Sequence, residues 1–167
     1  KGGVGTVFIT VDDPNTFREP ENPANAKGGI RVSYYELSDP HQLPDFSALS
    51  PYQTEIDNAI NYNSTEGNFS ASGRADEVGA VYEGFISVPS ANKWTFYTSS
   101  DDGSKLWIGD QLIVTNDFEH GMVEQSGVIA LKPGKHAIRV EFFENKGGAG
   151  LLVSMSSSTY TKKVVPM

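Results

Sequence analysis

Asp101 and Asp102 stand side by side in the run Tyr97-Thr98-Ser99-Ser100-Asp101-Asp102-Gly103-Ser104-Lys105-Leu106-Trp107-Ile108. Two adjacent carboxylates held toward one point repel each other, and a hard divalent cation with oxygen ligands relieves that repulsion best. Other chemistries find less support. The chain has no cysteine, so thiolate metal sites and cysteine nucleophiles are absent. His41, His120 and His136 lack the spacing of a histidine metal site. Glu141 and Glu144 are the nearest thing to a glycosidase pair, but they belong to one strand and its end and read as solvated structural carboxylates. No Ser-His-Asp order has motif support. Lys1-Gly2-Gly3-Val4-Gly5-Thr6 lacks the lysine that ends a phosphate loop and runs into a Val-Phe-Ile-Thr-Val strand, so it reads as a lead-in. The residues therefore point to binding and not to catalysis.

The elements that position the aspartates read as strands. Ile30, Val32 and Tyr34 alternate with Arg31, Ser33 and Tyr35, the period of a half-buried strand. From Val81 onward, Val81–Val88, Trp94–Thr98 and Lys105–Ile108 are each bounded by turn residues. Gly109-Asp110 and Pro133-Gly134 both predict hairpin turns. Ile138, Val140 and Phe142 share one face, and Leu151, Val153 and Met155 form a last apolar row. Trp94, Trp107, Phe96 and Phe142 fall in strand rhythm as core residues. Residues 38–60 are punctuated by proline, with a short helical turn expected near Thr54–Ile60. Asn61–Asp76 reads as a polar loop with Asn-x-Ser/Thr patterns at Asn63 and Asn68, which matter only in a eukaryotic secretory route. Seven or more short strands without a long helix predict an all-β antiparallel sandwich, or flattened barrel, with long surface loops.

The 167 residues suit one domain, with residues 1–28 as an N-terminal strand plus an extended loop or linker. Seventeen glycines and nine prolines favour many turns. A net charge of −8 opposes nucleic acid and leaves cations and neutral polar ligands as the better partners. No apolar run approaches the length of a spanning helix, so no membrane insertion is expected.

The run from Gly84 to Pro89, then Trp94–Tyr97, then Ser100–Ile108, followed by His120-Gly121, Leu131–His136 and Val140–Asn145, resembles the signature of the protective-antigen fourteen-kilodalton (PA-fourteen) domain family over about residues 30–165. The resemblance implies a β-sandwich found in adhesins, flocculins, glycosidases and toxins. In the lectin branch it implies a calcium ion held by two aspartates joined through a cis peptide, an asparagine, and two loop carbonyls. On this chain these are Asp101, Asp102 and Asn145, with the carbonyls of Gly147 and Ala149. Sugar hydroxyls then take the open coordination positions. The final loop, Lys146-Gly147-Gly148-Ala149-Gly150, departs from that branch in offering only Lys146 to grip a sugar, so Asn116, Asp117 and Glu119 become further candidates to line the site. The expected function is a calcium-dependent carbohydrate-binding module, monomeric as an isolated domain and extracellular or at the cell surface within a larger protein. The alternatives are a metal-free accessory or protein-interaction domain, and a module whose calcium is purely structural.

Overall fold

In the computed structural model, which describes residues 16–167, the alternating apolar runs predicted from the sequence supply the central members of a set of eleven strands. They are β1 (Ile30–Glu36), β2 (Gln53–Asp57), β3 (Asn61–Thr65), β4 (Val78–Val88), β5 (Asn92–Asp101), β6 (Ser104–Ile108), β7 (Gln111–Asn116), β8 (Val123–Leu131), β9 (Gly134–Glu144), β10 (Ala149–Ser157) and β11 (Tyr160–Val164). One antiparallel sheet has the order β2-β1-β4-β9-β6-β7; the other runs β11-β10-β5-β8, with β3 also pairing β10. The inner faces supply the core: Val32, Tyr34, Trp94, Phe96, Val140 and Phe142 are fully buried, and Phe69 stacks on Phe142 at 4.3 Å between ring centroids. This is the all-β sandwich expected from the sequence. The predicted strand at Val7–Val11 and the glycine-rich lead-in lie outside the described residues.

The β1 alternation holds, with Ile30, Val32 and Tyr34 in the main core. Its other face is also covered, because Tyr35 joins Leu37, Phe46, Val81 and Phe143 in a second small cluster under the loop that follows. Four details differ from expectation. Residues 53–57 form edge strand β2 on β1 and not a helical turn, since pairing of Thr54 with Ser33 satisfies a backbone rich in β-branched residues. Among the described residues the single helical turn is Phe46–Ala48, of the 3-10 type, where the Asp45 carboxylate accepts from the Ser47 N–H at 3.0 Å. Asn61–Thr65, read as loop, pairs with β10 as β3. Trp107 is only half-buried: it sits opposite Arg139, one position off the inward face carrying Leu106 and Ile108.

The two glycine turns also differ from each other. Gly109, at φ +59°, closes the β6–β7 hairpin as predicted. Pro133-Gly134 instead carries the chain from β8 in one sheet to β9 in the other, so it is a crossover. Crossovers matter most at the opposite end. Four of them, β3 to β4, β5 to β6, β7 to β8 and β9 to β10, change sheet there. Register forces them together: Gly150 of β10 pairs with Asp101 of β5, Ser104 of β6 with Phe142 of β9, and Thr65 of β3 with Ala149 of β10.

Candidate functional site

The acidic turn is the β5–β6 crossover, so Asp101 is held by the β5–β10 ladder and Asp102 by loop amides beyond it. Asp101 ends β5, and Asp102 is the first residue past it, joined by a cis peptide. Both oxygens of Asp102 accept backbone amides, from His120 at 2.9 Å and from Asn145 at 3.0 Å. Burial raises the Asp102 carboxyl above its usual range, against the pull of those two amides, with the neighbouring Asp101 charge adding to the rise. Asp101 is half-exposed and accepts from the Ser64 hydroxyl of β3 at 2.6 Å.

Glu144 completes the arrangement. It is the last residue of β9 and continues the inward alternation of Ile138, Val140 and Phe142, so its side chain enters the sandwich and is fully buried. The expectation that Glu144 is solvated is therefore corrected. Glu141, one residue off that face, pairs with Arg139 at 2.7 Å as a surface carboxylate should. One oxygen from each of Asp101, Asp102 and Glu144 lies within 4.8 Å of the others. Neither oxygen of Glu144 has a hydrogen-bond partner. Burial first, and then the Asp102 and Asp101 charges, push its carboxyl up to about 8; the Asp102 amide opposes this without reaching hydrogen-bond geometry.

Asn145 presents a second unpartnered acceptor. Its side-chain amide donates to Glu119 Oε1 at 2.6 Å and to Asp39 Oδ1 at 3.4 Å. Two carboxylate acceptors fix which end is nitrogen, leaving the buried Oδ1 with no partner. His41 braces those carboxylates, with Nδ1 at 2.9 Å from Glu119 and Nε2 at 3.5 Å from Asp39. The final loop then passes close to Asp101. A Cβ on Gly148 would fall 2.9 Å from Asp101 Oδ2 and 2.5 Å from Ser64 Oγ, so only glycine fits there without a shift. The neighbouring Gly147, at φ +104°, donates its N–H to Asp76 at 3.1 Å. Ala149 is buried beside Thr65 of β3, so Gly147 and Ala149 bring their backbones to the same corner as the three carboxylates.

Three converging carboxylates, with unsatisfied buried acceptors on Glu144 and on Asn145, whose backbone amide meets Asp102, fit a hard cation. Calcium takes oxygens at about 2.3–2.6 Å, so ligands on opposite sides of one ion stand about 4.6–5.2 Å apart, which accommodates the spread seen here. Buried acceptors without donors are rare unless an ion or water satisfies them.

The sugar-lining candidates divide. Lys146 is exposed on the rim, 3.4 Å from Asp39. Asp117 and the Asn116 amide nitrogen are engaged by neighbouring elements, while the buried Asn116 Oδ1 has no partner. Asn116 is 1% exposed and donates to Ser100 Oγ and to the Val123 carbonyl, both at 3.0 Å. Asp117 pairs with Lys105 and accepts the Leu43 N–H at 2.7 Å. Both therefore hold the β7–β8 loop in place. Ser64, Asp76, Asp39, His41 and Glu144 were not foreseen. Only Glu144 carried a signal, the inward step of the β9 alternation.

Known proteins bear on this geometry. The anti-sigma-I factor RsgI3 of Acetivibrio thermocellus is 27% identical over 140 residues, which are 83% of this chain and 20% of that protein. The structure of an anti-sigma factor domain-containing protein superposes with a TM-score of 0.72 at 27% identity, over 84% of this chain and 46% of that one. The chain thus spans a fifth to under half of these relatives' length. A PA14 sugar-binding domain from an RTX adhesin shares the fold, with a TM-score of 0.68 at 16% identity over 83% of this chain and 95% of that domain. The PA14 domain itself matches residues 27–167, including every residue of the acidic corner, and the chain belongs to the PA14 domain family.

Proposed function

We propose that this domain is a calcium-dependent carbohydrate-binding module, in which Asp101, Asp102, Asn145 and the carbonyls of Gly147 and Ala149 hold the ion and sugar hydroxyls complete its coordination. Glu144 joins the ligand set as a third carboxylate from below. The observation that carries the reading is that both oxygens of Glu144 are buried without donors beside the two aspartates, with Oδ1 of the adjacent Asn145 a further unpartnered buried acceptor. A bound ion of charge +2 offsets most of the three negative charges and satisfies those acceptors together. The side toward solvent stays open: Asp101 is half-exposed, while Lys146 and Glu119 are exposed. Open positions on a calcium ion suit the vicinal hydroxyls of a pyranose.

The fold shared with a sugar-binding adhesin domain supports the same assignment. The partial coverage of the anti-sigma factor relatives supports a place as one module of a larger protein, and the adhesin likeness supports a surface location, where the module would be the part that meets the saccharide.

Calorimetry tests this on protein stripped with a chelator. Calcium should bind one ion per chain, and a monosaccharide panel should then release heat only in its presence. Absence of any calcium heat, together with a melting temperature indifferent to chelation, rejects the reading in favour of a metal-free interaction domain. Calcium binding without any sugar heat would leave the ion structural, and an Asp101→Asn/Asp102→Asn double variant that still bound sugar would remove the ion from recognition altogether.

A further inference from the structure

We propose that Asn116, with Ser100 and Ser104, forms a buried polar clasp that holds the acidic turn in its ion-binding geometry; the inference rests on the calcium-dependent reading above and adds the residues that position its ligands. Ser100 comes directly before Asp101, and Ser104 is the second residue after Asp102. Both serines are fully buried, and their hydroxyls bond each other at 2.8 Å across the base of the turn. Ser100 lies in β5 and Ser104 in β6, so the bond joins one sheet to the other. A direct bond between two such short side chains brings their backbones to within about 8 Å, against the ~10 Å that separates stacked sheets. The sandwich is thus pinched where the aspartates cross it. The inward positions of β5 are Trp94, Phe96, Thr98 and Ser100, so the core changes from aromatic rings to hydroxyls as the strand nears the turn.

Asn116 ties this clasp to the loop above it. Its Nδ2 donates to Ser100 Oγ and to the Val123 carbonyl, both at 3.0 Å. The Val123 carbonyl can only accept, which fixes that end of the amide as nitrogen. One side chain therefore holds both ends of the loop between β7 and β8, and the register agrees, with Ser104 opposite Asn116 and Ser100 opposite Val123. The closed loop delivers the His120 N–H to Asp102 Oδ1 at 2.9 Å, while His120 Nε2 lies 3.3 Å from the Asn116 carbonyl oxygen. It also lies against the turn itself, since a Cβ on Gly103 would fall 3.1 Å from the Phe118 amide nitrogen. Buried hydrogen bonds between separate strands fix positions, because breaking one leaves its partner unsatisfied. Loosening the clasp releases Asp101 through the adjoining Ser100 and Asp102 through His120. Ligands that must be ordered again at the moment of binding hold an ion less tightly.

The experiment combines calcium calorimetry on chelator-stripped domain, at a temperature where every variant is folded, with amide hydrogen exchange in chelator. Asn116→Ala is expected to lower calcium affinity about 10-fold or more and to speed exchange of the His120 amide, and Ser104→Ala, which keeps the loop tie, to lower affinity about 3-fold. Thr98→Val serves as the control. Thr98 is fully buried one inward step before Ser100 and its hydroxyl has no partner, so its loss should leave calcium affinity unchanged. Wild-type calcium affinity in either Asn116→Ala or Ser104→Ala overturns the proposal, whatever their melting temperatures. So does an unchanged His120 exchange rate in Asn116→Ala. A drop in Thr98→Val equal to that in Ser104→Ala overturns it too, since any disturbance of this part of the core would then act on the ion. Should Asn116→Ala fail to fold, Ser104→Ala against Thr98→Val decides alone. A wild-type domain that binds no calcium removes the reading on which the inference rests, an outcome distinct from an ion that binds wild type and variants alike.

Discussion

Replacing Glu144 by Gln separates the two demands placed on this corner. Without metal, the buried carboxyl titrates at about 8 against an ordinary 4.5, because burial and the Asp102 and Asp101 charges oppose ionisation. The folded state therefore binds more protons than the unfolded chain between pH 4.5 and about 8, and stability falls as pH rises through that window. At ~1.36 kcal/mol per pH unit, the span corresponds to an upper value of ~5 kcal/mol, lost in full only above pH ~8. Glutamine is neutral at every pH, so in chelator the variant should match wild type near pH 4 and exceed its stability at pH 9. For a domain of this size 1 kcal/mol moves the midpoint by about 2–4 °C, so even half the upper value is readily measured. Calcium should narrow the gap at high pH. At ~100 times its dissociation constant it stabilises wild type by ~2.7 kcal/mol, or about 5–11 °C, and the variant, with one fewer charge on the ion, by less. Thermal melts at pH 4 to 9, in chelator and in calcium, provide the assay. Parallel pH profiles for the two proteins in chelator, with identical calcium shifts, would refute the assignment of Glu144 as an ionisable ligand.

Other perturbations follow from the same contacts. Calcium affinity of the wild type should rise with pH between about 6 and 8, approaching tenfold per unit, because binding must eject the Glu144 proton; a flat profile by calorimetry would contradict it. Glu119→Ala removes the 2.6 Å anchor of the Asn145 amide and should weaken calcium about 10-fold with little change in the chelator melting temperature, whereas Glu119→Gln, which keeps an acceptor, should recover most of it. Gly148→Ala places a methyl against Ser64 Oγ and Asp101 Oδ2, so calcium affinity should drop at least tenfold for a stability loss of about 1–3 kcal/mol in chelator.

Much of this corner was legible as sequence because local rules were enough to find its parts. Adjacent carboxylates at Asp101 and Asp102 signal charge repulsion in any fold, and the family resemblance added Asn145 with Gly147 and Ala149 on one loop. Glu144 was legible in principle: the alternation through Ile138, Val140 and Phe142 points it inward, although a glutamate at a strand end is ordinarily solvated. Asp39, His41, Ser64 and Asp76 were not legible, since they arrive from loops and a strand distant in sequence, and only the stacking of four crossovers at one end brings them in. The same limit explains Asn116 and Asp117. Polar residues after a strand look available, and only the tertiary partners Ser100, Lys105 and Leu43 reveal that the Asn116 amide nitrogen and the Asp117 carboxylate are engaged. Pro133-Gly134 shows that turn chemistry gives the local bend without the sheet to which the next strand goes.

On the proposed reading, residues from the β5–β6 and β9–β10 crossovers cage one calcium ion. Anomalous X-ray scattering from crystals grown in millimolar calcium tests it most directly. A single peak per chain is expected, about 2.3–2.6 Å from oxygens of Asp101, Asp102 and Asn145 and bordered by Glu144. Density without such a peak, with those side chains turned to solvent or satisfied by water, would contradict it.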